Sequence, residues 1–280
     1  DRIEAIMAID NGEGADEPRV TGDRIGRREA LPEAAREYAA YLMAEMAVGL
    51  RGLTIALDCA NGAVSAIAPP LFQSLGARVV TMGAEPNGVN INDRCGSTHL
   101  AGLCDLVLSS GACLGFAFDG DGDRMLAVDE RGVPVDGDQI LSILALDMME
   151  EGELRNDTLV VTVMSNLGLD LMAAERGLRL DKTRVGDRYV LEAMRAHGHV
   201  LGGEQSGHII LLDHGTTGDG LMSALWLLKA LSRKKASLSE MASVMTVLPQ
   251  VIRNARVPNS KKYAAMEDPD VRTACHEVEK

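Results

Sequence analysis

The stretch Leu53-Thr54-Ile55-Ala56-Leu57-Asp58, followed by Cys59-Ala60-Asn61-Gly62, decides the fold. An apolar run of this length, stopped by an Asn-Gly turn, predicts a buried strand. Beyond it the sequence reads as a helix to Leu75, a Gly76 cap, and a second strand from Arg78 to Thr81. This is a strand, helix, strand unit, and it recurs. Thr158 to Val163 is a second apolar strand, Asn166 to Arg176 a helix, Gly177 its cap, and Leu178 to Leu180 another strand. Asn61-Gly62 and Asn166 sit at matching strand-to-helix corners. The phrases Leu75-Gly76-Ala77-Arg78 and Arg176-Gly177-Leu178-Arg179 close both helices alike. Two related α/β domains in tandem, each a mixed sheet with flanking helices, are the economical reading.

Working outward, Asp1 to Ile9 reads as the tail of a helix, followed by a polar, Gly-rich linker to about Gly26. Pro32 opens an amphipathic helix to about Leu50, with Tyr38, Tyr41, Leu42, Glu45 and Met46 at helical spacing. A helix from Asp138 to about Glu150 bridges the two repeats, and Ser237 to Met245 is again helical. From Val247 onward, with Pro249, Pro258 and Pro269, a further unit begins. The first residue is Asp, the last stretch is charged, and both ends read as cut from a larger protein.

At 280 residues the chain is the size of two domains. It is 46% hydrophobic but only 3% aromatic, so aliphatic side chains must build its cores. A formal net charge of −13 argues against a nucleic-acid or membrane-surface partner, since both repel an acidic protein. An anionic substrate would have to be drawn in locally. Five cysteines, with no C-x-x-C pair, read as reduced thiols and point to the cytoplasm. Cys95 and His99 have no second pair to complete a zinc site.

Chemistry first shows in Asp119-Gly120-Asp121-Gly122-Asp123-Arg124, directly after the apolar run Leu114 to Phe118. Three carboxylates that close repel one another unless a cation sits among them. Their hard oxygens suit Mg²⁺, with Ca²⁺ and Mn²⁺ open. Arg124 adds a fork of donors suited to phosphate, so the run predicts a metal-dependent phosphoryl-transfer site. An EF-hand loop fails at its sixth position, where Arg124 replaces the required glycine, and on its flanks, which read as strands. A dehalogenase-type phosphatase, with Asp119 as nucleophile and Asp121 as acid, would need a helix where Met125 to Asp129 reads as a strand. A solvated turn is the plain alternative.

A second loop, Gly202 to His208, lies between the apolar runs Val200-Leu201 and Ile209 to Leu212. Glu204, Ser206 and His208 alternate along it, which would turn them to one side. A carboxylate beside a hydroxyl can read adjacent sugar hydroxyls, and an imidazole can move a proton near neutrality. A polar hairpin tip is the other reading.

Together the two loops resemble the α-D-phosphohexomutases. The resemblance also rests on Asp58-Cys59-Ala60-Asn61-Gly62-Ala63, Asn90-Ile91-Asn92, Cys95-Gly96-Ser97-Thr98-His99, Met164-Ser165-Asn166 and Val185-Gly186-Asp187-Arg188-Tyr189-Val190. It covers nearly the whole chain and is narrowest toward members that act on glucosamine phosphate. It implies a cytoplasmic bacterial isomerase that interconverts glucosamine 6-phosphate and glucosamine 1-phosphate through a phosphoserine and glucosamine 1,6-bisphosphate, feeding cell-wall precursors. Enzymes acting on mannose or glucose phosphates, or an inactive metal- or sugar-phosphate-binding module, are the alternatives. By the same resemblance Asp119, Asp121 and Asp123 hold Mg²⁺, Glu204, Ser206 and Arg188 bind substrate, and Arg124 and His208 are catalytic. A homodimer is compatible with it. The family's Thr-Ala-Ser-His-Asn serine motif and Arg-Pro-Ser-Gly phosphate loop are absent from this sequence. The implied division is the end of domain 1 at 1–22, a lead-in at 23–50, domain 2 at 51–135, domain 3 at 136–247, and the start of domain 4 at 248–280.

Overall fold

The computed structural model describes residues 22, 25–45, 49–251 and 256–278. The predicted helical tail at Asp1 to Ile9 and most of the linker after it lie outside the described residues. Helix α1 (Ala34–Glu45) leads into β1 (Thr54–Asp58). A 3₁₀ turn (Ala63–Ala66), α2 (Ala68–Ser74) and β2 (Arg78–Met82) follow, with β2 parallel to β1. Helix α3 (Ala101–Ser110) returns the chain to β3 (Leu114–Phe118), parallel to β1 on its other side. Strands β4 (Met125–Asp129) and β5 (Pro134–Val135) then add antiparallel, giving the order β2-β1-β3-β4-β5.

Helix α4 (Gly137–Glu150) carries the chain into the second sheet, its start fixed by a capping box between Asp136 and Gln139. Then come β6 (Thr158–Thr162), α5 (Leu167–Arg176), β7 (Arg179–Thr183), α6 (Asp187–His197), β8 (Leu201–Gly203) and β9 (Ile209–Leu211). Their order is β7-β6-β8-β9, with β7 and β8 parallel to β6 and β9 antiparallel to β8. Strand for strand, and sense for sense, this repeats β2-β1-β3-β4. Helices α7 (Gly220–Lys234) and α8 (Leu238–Ala242), then α9 (Lys262–Met266) and α10 (Pro269–Val278), complete the described chain.

The repeat extends to packing. Gly115 lies opposite Ala56 and Gly202 opposite Val160, the same place in each sheet. A Cβ at Gly115 would meet Leu103 and Val107 of α3; one at Gly202 would meet Val190 and Met194 of α6. A bare backbone at that point lets each outer helix press onto its sheet. The outer cores are correspondingly small: Ala56, Leu103, Val107 and Val128 in one domain, and Val160, Val190, Met194 and Ile210 in the other. The inner faces share one larger core containing Phe72, Phe116, Ile140, Leu144, Val161 and Leu225, with α4 and α7 threaded through it. At about 25 cal/mol per Å² of apolar surface buried, this continuous core is what holds the two sheets in fixed relation.

Three predicted elements differ. The helix after Gly62 is broken at Ile67 into a 3₁₀ turn and α2, because Pro69 and Pro70 lack N–H donors and can only occupy a first turn. The strand after Gly177 continues to Thr183, all five residues pairing with β6. The helix expected over Ser237 to Met245 is the shorter α8, capped reciprocally by Ser237 and Glu240. No helix among the described residues is long and apolar enough to cross a membrane.

Candidate active site

The two loops singled out by chemistry occupy equivalent places. Asp119 to Arg124 joins β3 to β4; Glu204 to His208 joins β8 to β9. In the first loop, one carboxylate oxygen each from Asp119, Asp121 and Asp123 lies within 4.8 Å of the others. Unit charges that close repel by on the order of 3 kcal/mol per pair at an effective dielectric near 20. Burial, and next the Asp123 carboxylate, holds the Asp119 carboxyl above its usual range. Asp119 Oδ1 accepts from the backbone N–H groups of Gly122 and Arg124, both at 3.1 Å, which curls the loop inward. Asp123 Oδ1 is buried without a hydrogen-bond partner. Arg124 Nε stands 3.8 Å from both Asp119 Oδ2 and Asp123 Oδ1, too far to satisfy either. Converging hard oxygens, one of them orphaned, fit a divalent cation of the Mg²⁺ type.

The second loop departs from the alternation read in the sequence. It is a tight turn: Glu204 N–H donates to the His208 carbonyl and Gly207 N–H to the Glu204 carbonyl, both at 3.0 Å. Alternation holds only for extended backbone. Here Gly207, at φ +89°, reverses the direction, so Ser206 is exposed, Glu204 half-buried and His208 turned inside at 3% exposure. Glu204 Oε1 accepts from Gly186 N–H at 2.9 Å, which fixes the carboxylate above the turn after β7. Gly218 N–H donates to His208 Nε2 at 3.1 Å, making that nitrogen an acceptor. The proton therefore sits on Nδ1, 3.0 Å from Asp123 Oδ2. With both nitrogens engaged and the ring buried, His208 has no free nitrogen to offer a substrate.

Main-chain contacts bind the loops to one another. Arg124 and His208 form an antiparallel bridge, and Met125 N–H donates to the Gly207 carbonyl at 3.0 Å. Any Cβ at Gly207 would collide with the Met125 carbonyl. Gly220 N–H, at the start of α7, donates to the Gly122 carbonyl at 3.0 Å. Gly137 N–H, at the start of α4, donates to the Gln205 carbonyl at the same distance. The Asp119–Arg124 loop is also cradled from its own domain. Buried Asp58, its carboxyl raised by burial, accepts from Gly96 N–H at 2.6 Å and Ala60 N–H at 3.0 Å. Ser97 N–H then donates to the Phe118 carbonyl and Ala63 N–H to that of Gly120, both at 2.9 Å. The phrases around Asp58, Asn90 and Cys95 thus meet in space as a scaffold. Cys95 accepts from Asn61 Nδ2 at 3.7 Å and His99 bonds Thr98, so they share no ligand cluster.

Arg188 is not brought to the carboxylates. It lies on the exposed first turn of α6, its Nε 2.8 Å from Glu192 Oε1, in an ordinary helical ion pair. Sequence reasoning passed over Gly218 and Asp219. Asp219 caps α7 through Met222 N–H and takes the Tyr38 hydroxyl at 2.8 Å, tying α1 to the metal loop. Its signal was Gly218-Asp219-Gly220, a second Asp-Gly corner before an apolar run.

A fold of two such α/β repeats with an acidic β3–β4 loop defines a known class. The model of phosphoglucomutase/phosphomannomutase domain II matches residues 36–132, and that of domain III residues 136–248. The chain belongs to this phosphohexomutase family and contains those two domains. Among its relatives are a phosphoglucosamine mutase of Acetivibrio thermocellus, 51% identical over the whole chain and 62% of the relative, and one of Streptomyces avermitilis, 49% identical over the whole chain and 61% of the relative. The chain thus spans a little under two thirds of the length of these relatives. A crystal structure of a phosphoglucomutase/phosphomannomutase family protein from Burkholderia thailandensis superposes with a TM-score of 0.65 at 25% identity, over 78% of this chain and 47% of that one. Aspergillus fumigatus N-acetylphosphoglucosamine mutase, in complex with GlcNAc-6P and magnesium, shares the fold with a TM-score of 0.60 at 20% identity, over 77% of this chain and 50% of that one.

Proposed function

We propose that the chain forms the metal- and sugar-binding centre of a mutase interconverting glucosamine 6-phosphate and glucosamine 1-phosphate. One observation carries the reading: three converging carboxylates, one with an orphaned oxygen, lie a single main-chain bridge away from a loop presenting Glu204 and Ser206. The name borne by relatives near 50% identity supports the glucosamine substrate. In this reading Asp119, Asp121 and Asp123 hold Mg²⁺, as the magnesium complex of the structural neighbour suggests. The ion supplies positive charge opposite the oxygens of a phosphoryl group in transfer. Arg124, its guanidinium half-exposed beside the carboxylates, takes the remaining phosphoryl oxygens. Glu204 and Ser206 hold ring hydroxyls in either orientation of the sugar, so the same pair serves both phosphate positions. His208 keeps Asp123 aimed at the metal. Arg188, on the exposed first turn of α6, is the proposed donor to a substrate phosphate.

Residues 51–135 and 136–247 are domains 2 and 3 in this account, with 1–22 closing domain 1, 23–50 leading in, and 248–280 opening domain 4. The phosphoryl-donating serine and the phosphate-gripping loop lie outside the sequence. The chain alone should therefore bind metal without turning over substrate. The test is turnover of glucosamine, glucose and mannose 6-phosphates by a full-length protein that includes this chain, primed with a bisphosphorylated sugar. A preference for glucosamine 6-phosphate is expected. Faster turnover of the mannose or glucose ester would reassign the substrate, and turnover by the 280-residue chain alone would refute the division of labour.

A further inference from the structure

On the far edge of the second sheet a different set of ligands converges. Helix α6 ends at Gly198, which adopts the left-handed conformation (φ 72°), and His199 N–H closes back onto the Met194 carbonyl at 2.9 Å. This cap brings His197 and His199 round to the same place, their rings edge to face at 5.7 Å. Asp181, in the middle of the edge strand β7, meets both. His197 Nδ1 is 2.7 Å from Asp181 Oδ2, and His199 Nε2 is 3.6 Å from the same oxygen. One ligand atom from each of the three lies within 4.8 Å of the others.

His199 is the unexplained member. Its side chain is only 9% exposed, and its Nδ1 has no hydrogen-bond partner. Its Nε2 faces Asp181 from beyond hydrogen-bond length. The orphaned Nδ1 lies on the other side of the ring; it is Nε2, turned toward Asp181 with no hydrogen bond among the described residues, that a metal ion in this cluster would engage. Two imidazoles and a carboxylate are the donor set of zinc-type ions, whereas Mg²⁺ and Ca²⁺ take oxygens. Tetrahedral coordination with bonds of about 2.0–2.2 Å sets ligand atoms about 3.3–3.6 Å apart, so the His199–Asp181 spacing already suits it, whereas the 2.7 Å His197–Asp181 hydrogen bond would have to open by roughly half an ångström or more. The C-terminal end of α6 also favours a cation. Of the neighbouring cations, Arg179 bonds the Asn156 carbonyl and Lys182 pairs with Asp170, so neither fills the gap.

We propose that Asp181, His197 and His199 form a second metal site, for Zn²⁺ or a similar borderline ion, separate from the Asp119 cluster. His197 is 58% exposed on its side chain, which leaves an open position for water or an added ligand. The probe is Zn²⁺ titrated calorimetrically into the whole chain under saturating Mg²⁺, with His197→Ala as the variant, since its exposed ring can be removed without disturbing the core. One equivalent of Zn²⁺ should bind, with affinity falling about ten-fold or more in His197→Ala. Asp121→Asn should leave Zn²⁺ binding unchanged. Co²⁺ bound in place of Zn²⁺ should show the visible absorption of a tetrahedral site, absent from His197→Ala. Equal Zn²⁺ binding by wild type and His197→Ala, or no binding at millimolar Zn²⁺, would overturn the proposal.

Discussion

The β3–β4 and β8–β9 loops stand at the same point of two copies of one fold, yet one carries three carboxylates and the other one carboxylate and one hydroxyl. Their supports differ as well. The β3–β4 loop, proposed to hold metal, is closed by its own Asp119 accepting two main-chain donors, so its charges are gathered without a cation. The β8–β9 loop, proposed to bind sugar, is a plain hairpin turn whose Glu204 carboxylate is aimed by Gly186, outside the loop. An acidic cluster must be preorganised against its own repulsion, whereas a single hydrogen-bonding carboxylate needs only to be pointed. The repeat supplied two equivalent perches, and the chemistry of each was set by what hangs there.

The comparison breaks most visibly through the metal. In the full-length enzyme, Asp119→Asn should lower kcat about 10²- to 10³-fold, the usual cost of removing charge stabilisation from a transferring group. Steady-state kinetics at saturating Mg²⁺ measures it. Next is backbone fit. Gly207 and Gly122 both have positive φ, but a Cβ at Gly207 strikes the Met125 carbonyl, whereas at Gly122 it meets only a Val64 methyl at 2.6 Å. Gly207→Ala should cost about 3 kcal/mol and Gly122→Ala about 1 kcal/mol in urea unfolding of the chain.

Buried Asp138 gives the next effect. It accepts from Asn166 N–H at 2.7 Å at the strand-to-helix corner, beside the Ser165 hydroxyl. Burial, outweighing the help of that N–H and of the Ser165 hydroxyl, pushes its carboxyl up to about 6, with Asp136 also raising it and Lys182 lowering it. A raised folded-state value means the folded protein holds a proton that the unfolded chain gives up. The stability this contributes is full below about pH 4 and is lost as pH rises to about 6, at about 1.4 kcal/mol per unit. The stability of wild type minus that of Asp138→Asn should therefore fall by about 2–3 kcal/mol between pH 4 and 6, then level off. A flat difference would mean that Asp138 titrates normally. Smaller again is Glu204→Gln, which removes a charge-assisted hydrogen bond worth about 1.5–3 kcal/mol and should lower kcat/KM roughly ten- to a hundred-fold.

Much of this was legible in the sequence because the elements that were read carry local signals. Asp136 with Gln139, Asn166, and Ser237 with Glu240 mark three helix starts by their caps, and Gly76 and Gly177 mark two ends. The helices that escaped notice were harder to read at their starts or along their faces, although α3 and α6 end on Gly111 and Gly198 and α7 is capped by Asp219. Helix α3 begins at Leu100 and α6 at Gly186, neither with a side-chain cap. Helix α7 is buried from Gly220 to Leu228 without interruption, so it shows no polar face to betray its period. In the site, the Asp119 run was readable because its three acids are contiguous. The inward turn of His208 depends on Gly207 and Gly218, eleven residues apart. The Asp181, His197 and His199 cluster depends on a helix cap meeting an edge strand. Neither has a signature in one dimension.

The central claim is that the two equivalent loops divide metal from sugar, and Mg²⁺ titration of the 280-residue chain carrying Asp121→Asn or Glu204→Gln tests it most directly. The account predicts weak binding of one Mg²⁺ by wild type, unchanged in Glu204→Gln and weakened by at least about ten-fold in Asp121→Asn. Loss of Mg²⁺ in Glu204→Gln with retention in Asp121→Asn would contradict it.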